Sequence, residues 1–184
     1  MPLSSPKTRE TMHTRKVTCT GHRRDDGLWD IEGHLIDEKT YEFSNDERGK
    51  VLPGEPVHEM WIRLTITEKM EIKDVEAVTD HSPFSVCRNI TPNFQKLIGV
   101  TIGPGWRRQV ISRVGGIEGC THIVELLGPV ATTAFQTITP IKNREEKVNL
   151  VSSDKPPRLL NTCHAFRSDG EITKKFWPKF YDGS

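Results

Sequence analysis

A cysteine, a histidine and a glutamate lie close together in the segment GGIEGCTHIVELLGP, residues 115–129. Apolar residues at helical spacing follow Cys120, so we expect this cysteine at the N-terminal end of a long helix, with His122 in the first turn. Unpaired N–H groups and the helix dipole at such an end stabilise a thiolate. His122 and Glu125 are three residues apart and share a helix face. The segment is compatible with a metal site, with an activated thiol, or with a packed helix start that carries polar residues.

Two further cysteines extend the metal interpretation. Cys87 follows a strong predicted strand, and Cys163 lies near the C-terminus. Structural zinc sites usually take four ligands from Cys, His and carboxylate side chains, and iron sites draw on the same residue types. The sequence therefore predicts a zinc or iron ion held by Cys87, Cys120, His122 and Cys163.

Other residues with ligating side chains lie near the ends of predicted elements and leave the ligand set open. The simplest interpretation of His58, and also of His81, is that the side chain is exposed in a loop. Asp80 precedes His81, and His164 is adjacent to Cys163. Whether Cys163, His164, His58 or Asp80 completes the site is left open by the sequence.

Two alternatives need no metal. In the first, the chain is an enzyme with Cys120 as nucleophile, His122 as its base and Glu125 orienting the imidazole, acting on an acyl or thioester substrate. In the second, it is a non-catalytic binding module of a catabolic or biosynthetic pathway, whose cysteines are small buried core residues. The sequence contains no phosphate-binding GxxxxGK[ST] loop, no HExxH and no GxSxG motif.

Composition limits the partners and the compartment. The 184 residues carry a formal net charge of +1, which gives no reason to expect nucleic acid or an anionic membrane as partner. No apolar run approaches the roughly 18 residues that span a bilayer. The N-terminus has no apolar signal region, so we expect a cytoplasmic protein with free thiols. A small-molecule or protein substrate and a homo-oligomer both remain compatible with the sequence.

The first half of the chain has the pattern of an antiparallel sheet. Residues 13–36 read as a hairpin around Asp26-Gly27, with Gly33 as a bulge in its return strand. Residues 44–56 are predicted as a loop. Residues 58–67 and 72–80 alternate apolar and polar side chains and form an antiparallel pair.

The second half changes to helical periodicity. Thr91 and Gly99 mark the start and end of a short helix. The segment GPGWRRQVISRVGG, residues 103–116, is predicted to contain another, which Gly115 ends. Pro129 is expected to kink the helix that follows Cys120, or to start a second helix there. The segment around residues 168–170 is predicted as a hairpin.

These elements predict one α+β domain, in which an N-terminal antiparallel meander packs against C-terminal helices. We expect a flexible arm over residues 1–12, the domain over 13–141 and a linker over 142–158. A tail over 159–184 is expected to pack back on the domain.

The chain also resembles a known bacterial family, catalogued as domain of unknown function 2889. The resemblance runs through HTRKVTCTGHRRDDGLWDIEGHLID, PGEPVHEMWIRLTI, EAVTDHSPFSVC, LIGVTIGPGW, GGIEGCTHIVELLGPVATTAFQT and TCHAFRSDGE. It covers nearly all of residues 13–181 and implies no activity.

A distant likeness is architectural. Iron–sulfur scaffold proteins of the NifU and SufU type are similar in their order of elements, a small antiparallel sheet followed by helices. The likeness implies that Cys87 matches a cysteine that follows a strand, and that Cys120 and His122 match a cysteine and histidine at the start of a late helix. This chain has Cys-x-His where those proteins have adjacent residues, and it lacks their early glycine-flanked cysteine, for which His58 or Cys163 would have to compensate.

Overall fold

The computed structural model describes residues 3–145 and 156–183. These residues divide into two compact units, with the boundary between residues 138 and 139. The whole sheet lies in the larger, N-terminal unit, and Cys163 lies in the smaller one. No helix in these two ranges is long and apolar enough to cross a membrane.

The sheet is an antiparallel meander, as predicted. Its strands and those of a small hairpin are, in chain order, β1 (His13–Arg23), β2 (Trp29–Lys39), β3 (Phe43–Asn45), β4 (Gly49–Val51), β5 (Pro56–Ile66) and β6 (Ile72–His81). The four long strands pair in the order β1-β2-β5-β6, while β3 and β4 form a separate two-stranded sheet. The predicted loop over 44–56 thus contains part of a hairpin, whose turn is held by the Asn45 side chain accepting hydrogen bonds from two backbone N–H groups.

Buried and partly exposed residues alternate along β2, so one face of the sheet is buried. Its buried positions are two residues apart, at Trp29, Ile31, Gly33, Leu35 and Asp37. Successive residues of a strand point to opposite faces, so these five positions share one face. That face of β2 is apolar except for Asp37 at its end.

Helical segments follow the sheet. They are a 3₁₀ helix over Ser85–Leu97, α1 (Trp106–Val114), α2 (Thr121–Glu145) and, in the smaller unit, α3 (Glu171–Phe176). The order of a sheet followed by helices confirms the predicted α+β class.

Two strand glycines let α2 lie close against β1 and β2. A Cβ added to Gly33 would lie 2.6 Å from the side chain of Val130 and 2.9 Å from that of Leu126. A Cβ added to Gly21 would lie 2.1 Å from the hydroxyl of Thr137. Only glycine allows this approach, so the role of Gly33 is packing and not the predicted bulge. Where β2 pairs with β5, a bulge lies instead between Asp37 and Glu38.

One other sequence prediction was wrong in detail, and one of two alternatives is excluded. The helix expected to start at Thr91 begins at Ser85, and the Thr91 hydroxyl lies inside it and donates to the carbonyl of Arg88. At Pro129 no second helix starts, since α2 continues through this residue, and the alternative of a kink stays a prediction. A glycine before proline removes the side chain that would clash with the proline ring.

The smaller unit is helical and lacks the expected hairpin in its described part. Gly170 immediately precedes α3, and the Thr173 hydroxyl donates to the carbonyl of Arg167. The rings of Phe166 and Trp177 pack at a centroid distance of 5.4 Å. Residues 142–145 of the predicted linker belong to α2, and 146–155 lie outside the described residues. The division into arm, domain, linker and returning tail stays a prediction.

Candidate metal site

The site begins with a carboxylate on the apolar face of the sheet. Asp37 is 1% exposed. It pairs across the sheet with Arg15 on β1 and His58 on β5. Residues directly opposite each other in a sheet project from the same face, so the three side chains meet at one end of the inner face.

Arg15 neutralises Asp37 with two hydrogen bonds. Its Nε donates to Oδ1 and its Nη2 to Oδ2, each at 2.8 Å, and the His13 ring lies 3.1 Å from Oδ1. Burial alone would raise the pKa of Asp37, but the hydrogen bonds and charge of Arg15, with help from His13, hold the pKa below its usual value. The carboxylate is therefore ionised although it is buried.

Arg15 also joins the sheet to α2. Its Nη1 donates to Oε2 of Glu125 at 2.8 Å. The guanidinium thus bridges two carboxylates, one buried on β2 and one more exposed on the helix. The formal charges of Asp37, Glu125 and Arg15 sum to −1.

Two histidines face the remaining oxygen of Asp37. Nδ1 of His58 lies 3.3 Å from Oδ2, and Nε2 of His122 lies 3.8 Å from the same atom. The two imidazole rings stack at a centroid distance of 3.9 Å. His58 Nδ1 is buried and has no partner in hydrogen-bonding geometry. That atom is an unsatisfied polar group beside an ionised oxygen.

The pKa of each histidine is lowered, which favours the neutral form. Burial, and then the neighbouring charge of His122, lower the pKa of His58 to about 4. Burial and the charge of Arg15 lower the pKa of His122. Neutral imidazoles keep a lone pair on one nitrogen, which is the form that binds metals.

A glycine-rich turn brings the start of α2 to this end of the sheet. Gly116 has a φ of +57°, and a Cβ on Gly119 would lie 1.9 Å from the carbonyl oxygen of Val114. Cys120 follows, and its carbonyl accepts from the N–H of Val124 at 2.9 Å. Cys120 is therefore the residue that caps α2, and His122 lies in the first turn, as predicted.

His122 has a different neighbour at each ring nitrogen. Its Nδ1 lies 3.9 Å from Sγ of Cys120, whereas its Nε2 faces Asp37. The thiol and the carboxylate therefore lie on opposite edges of one imidazole.

Asp37, His58 and His122 form one compact set of potential ligands. Each offers one ligand atom, and these atoms all lie within 4.8 Å of one another. It is the one such set of three or more Cys, His, Asp or Glu residues among residues 3–145 and 156–183.

The comparisons with known proteins identify the family. A family model described as Protein of unknown function (DUF2889) matches residues 13–136. The chain belongs to this family. The match includes all three members of the set and Cys120, but not Cys163. No curated protein and no solved structure matches the chain.

The structure of this DUF2889 member places the predicted site residues in different surroundings. His122 belongs to the compact set, and Cys120 touches it from the other ring edge. Cys87 is half-buried in the 3₁₀ helix, and Cys163 is exposed in the smaller unit. Metal ligation by the three cysteines stays a prediction. Glu125 pairs with Arg15.

The remaining candidate ligands lie at other places. The interpretation of His58 as an exposed loop residue was wrong, because it is half-buried on β5. His81 ends β6 and bonds to Glu59 at 2.8 Å. Asp80 accepts from the indole N–H of Trp61. His164 begins a 3₁₀ turn in the smaller unit.

Asp37 was missed by the sequence analysis, although a signal for it existed. The apolar alternation of β2 runs through Trp29, Ile31 and Leu35, and its next step falls on Asp37. A carboxylate at an inward position of a strand needs a buried partner. Its pairing with His58 was not predictable, because it depends on how the residues between β2 and β5 return the chain.

Proposed function

We propose that Asp37, His58 and His122 hold a divalent zinc or iron ion and leave part of its coordination open to substrate. The observation that carries this proposal is the Nδ1 atom of His58. It is buried, it makes no hydrogen bond of good geometry among the described residues, and it lies 3.3 Å from an ionised carboxylate oxygen. An ion bound there would satisfy the nitrogen and share the charge of Asp37.

The spacing of the three side chains fits such an ion. Zinc bonds to nitrogen and oxygen of about 2.0–2.2 Å place tetrahedral ligand atoms roughly 3.3–3.6 Å apart. The two distances from Asp37 Oδ2, 3.3 and 3.8 Å, lie at or close to this range. The local charge of −1, with both imidazoles neutral, favours a cation although Arg15 is near.

Three protein ligands are typical of catalytic centres, in which the next position is open. One carboxylate and two histidines are also the ligand set of many non-haem iron enzymes. A bound ion would supply Lewis acidity, or a water molecule of lowered pKa. Arg15 would hold the carboxylate in position, as outer partners of metal ligands do.

A second candidate function is supported by the contact between Cys120 and His122. Sγ, the imidazole and Asp37 are arranged in series, at 3.9 Å and 3.8 Å, as in a Cys-His-Asp hydrolase. In that role Nδ1 accepts the thiol proton, and the Nε2–H points to Asp37. A metal at Nε2 requires the opposite tautomer, with the proton on Nδ1. The two functions therefore exclude each other at any one moment.

Metal content of the purified protein tests the proposal. We expect about one equivalent of zinc or iron per chain by inductively coupled plasma mass spectrometry after dialysis. His58→Gln and His122→Gln should each lose it. The matched control is His34→Gln, since His34 is similarly half-buried but lies on the outer face, where it bonds to Glu59 and stacks on Trp61.

Cys120→Ser distinguishes the alternatives. With Asp37, His58 and His122 as ligands, this variant keeps its metal. Loss of metal in Cys120→Ser but not in His58→Gln would show that the cysteine-containing ligand set is the correct one. A wild-type protein without metal, combined with rapid alkylation of Cys120, would favour the thiol enzyme.

A further inference from the structure

A groove between α1 and α2 lies beside the candidate metal site. Its volume is about 500 Å³. Small-molecule sites commonly measure about 300–1,000 Å³ and are lined mainly by apolar side chains. The apolar part of this lining comes from both helices: Trp106, Val110, Ile111, Val124 and Leu127.

The groove and the metal site share the first turns of α2. Thr121 and Glu125 line the groove, and His122 lies between them in the sequence. Glu125 also accepts from Arg15, which in turn binds Asp37. A molecule that contacts Glu125 in the groove would therefore be linked to Asp37 through two side chains, Glu125 and Arg15.

Gly128 keeps part of the groove open. Apart from its two chain neighbours and the nearby backbone of its own helix, a Cβ added to this residue would meet no atom within 4 Å, in contrast to Gly33 and Gly21. Glycine inside a helix costs about 1 kcal/mol relative to alanine, and close packing does not explain this one. It eases the passage of the helix into Pro129 and leaves an unfilled space in the groove wall.

The groove also offers a cation, the guanidinium of Arg107. Arg107 lines it and has no carboxylate within 4.0 Å in the part of the chain that the structure describes. The carboxylate of Glu125 is already paired with Arg15. The indole N–H of Trp106 donates to the carbonyl of Leu127, which fixes the ring at the wall. An apolar cleft with one unpaired guanidinium suits an anion with an apolar body.

We infer that this groove binds a small carboxylic acid with an apolar or aromatic body, as the substrate of the adjacent metal site. That this acid is the substrate of the metal site rests on the proposed function, whereas binding of the acid in the groove does not need a metal. The carboxylate pairs with Arg107, and the apolar body lies along Trp106, Val110 and Leu127.

Titration calorimetry of the metal-loaded full chain with 3-phenylpropanoate tests the inference. We expect saturable binding at one site. The uncharged 3-phenylpropanamide should bind roughly tenfold more weakly, since one charge-assisted hydrogen bond contributes about 1.4 kcal/mol or more. Arg107→Gln should weaken binding of the acid by a similar factor and leave binding of the amide nearly unchanged.

Two variants of the groove, with a control outside it, complete the test. Gly128→Leu should fill the space and abolish binding. Ile111→Glu should weaken it by tenfold or more, because it adds a negative charge at a position that is about half exposed. The matched control is Ile117→Glu, the same change at a residue that is 94% exposed and does not line the groove.

The outcomes separate this inference from the metal proposal. Absence of saturable binding to the wild type overturns the inference, whatever the metal content. So does binding that Ile111→Glu and Ile117→Glu affect equally. Binding that persists in metal-free His58→Gln supports the groove, and metal analysis of the wild type decides the proposed function independently.

Discussion

At the scale of single residues, the site depends on a charge placed where the sheet should be apolar. Asp37 is buried, and Arg15 supplies both of its strongest hydrogen bonds. A buried carboxylate that loses its cation keeps the cost of desolvation and loses the compensation. Arg15 is therefore a structural residue as well as a neighbour of the candidate ion.

The first prediction concerns this pair in the metal-free protein. Arg15→Gln should lower the free energy of unfolding by about 2 kcal/mol, less than for a fully buried pair because Arg15 is partly exposed. Urea unfolding, monitored by circular dichroism, measures this change in the free energy of unfolding. The matched control, Lys16→Gln, removes an exposed pair with Glu38 from the opposite face and should cost less than about 1 kcal/mol. Equal losses in the two variants would contradict a special role for Arg15.

The second prediction concerns thiol reactivity. Burial raises the pKa of Cys19, with a contact to Thr133 acting in the opposite direction. Less thiolate is then present at a given pH, and the thiolate is the reactive form. Iodoacetamide at pH 8, followed by peptide mass spectrometry, should label the exposed Cys163 before Cys19. The difference between the labelling rates of Cys163 and Cys19 should vanish when urea unfolds the protein. Equal labelling rates in the folded protein would show that Cys19 is not protected.

The residues of the site were only partly predictable from the sequence. Cys120 at the cap and His122 in the first turn follow from local helix signals, which depend on neighbouring residues alone. Asp37 and His58 meet across two strands that are separated in sequence by the β3–β4 hairpin. Local patterns contain no information about that register.

At the scale of elements, the contact between α2 and the sheet depends on which glycines it meets. Gly33 lies under Leu126 and Val130, whereas Gly128 faces open space. The same substitution should therefore change stability more at Gly33 than at Gly128.

The third prediction compares Gly33→Ala with Gly128→Ala. The first should destabilise the protein by about 1–3 kcal/mol, since the added methyl group overpacks the contact with α2. The second should change stability by less than about 1 kcal/mol, because improved helix propensity opposes crowding against Pro129. Thermal unfolding measures both. Val130→Ala should partly rescue Gly33→Ala, and failure of the rescue would show that the helix does not pack as described.

Elements with strict periodicity were predicted well, and irregular ones were not. The pair of strands predicted at 58–67 and 72–80 is present as β5 and β6, because alternation of apolar residues determines an inward face. The 3₁₀ helix over Ser85–Leu97 was not predicted at its true start. It is held by packing of Phe94 and Leu97, which are fully buried, and not by a capping residue.

At the scale of the whole molecule, the candidate site joins three parts of the chain that are far apart in sequence. Asp37 is on β2, His58 on β5 and His122 on α2. An ion that binds all three ties the sheet to its covering helix. A ligand that binds the folded state and not the unfolded one stabilises the fold by mass action.

The last prediction follows from this link. Removal of metal from the 184-residue chain by EDTA, followed by dialysis to remove the EDTA, should lower the melting temperature by on the order of 5 °C. Added zinc or iron should restore it. His58→Gln should melt at the same temperature with and without added metal, because two ligands remain where three are needed. His34→Gln should respond like the wild type, since its ring bonds to Glu59 on the outer face. A response to metal that survives in His58→Gln would place the ion elsewhere in the chain. Differential scanning calorimetry at several metal concentrations distinguishes these outcomes, because a specific site gives a shift that grows with the logarithm of free metal.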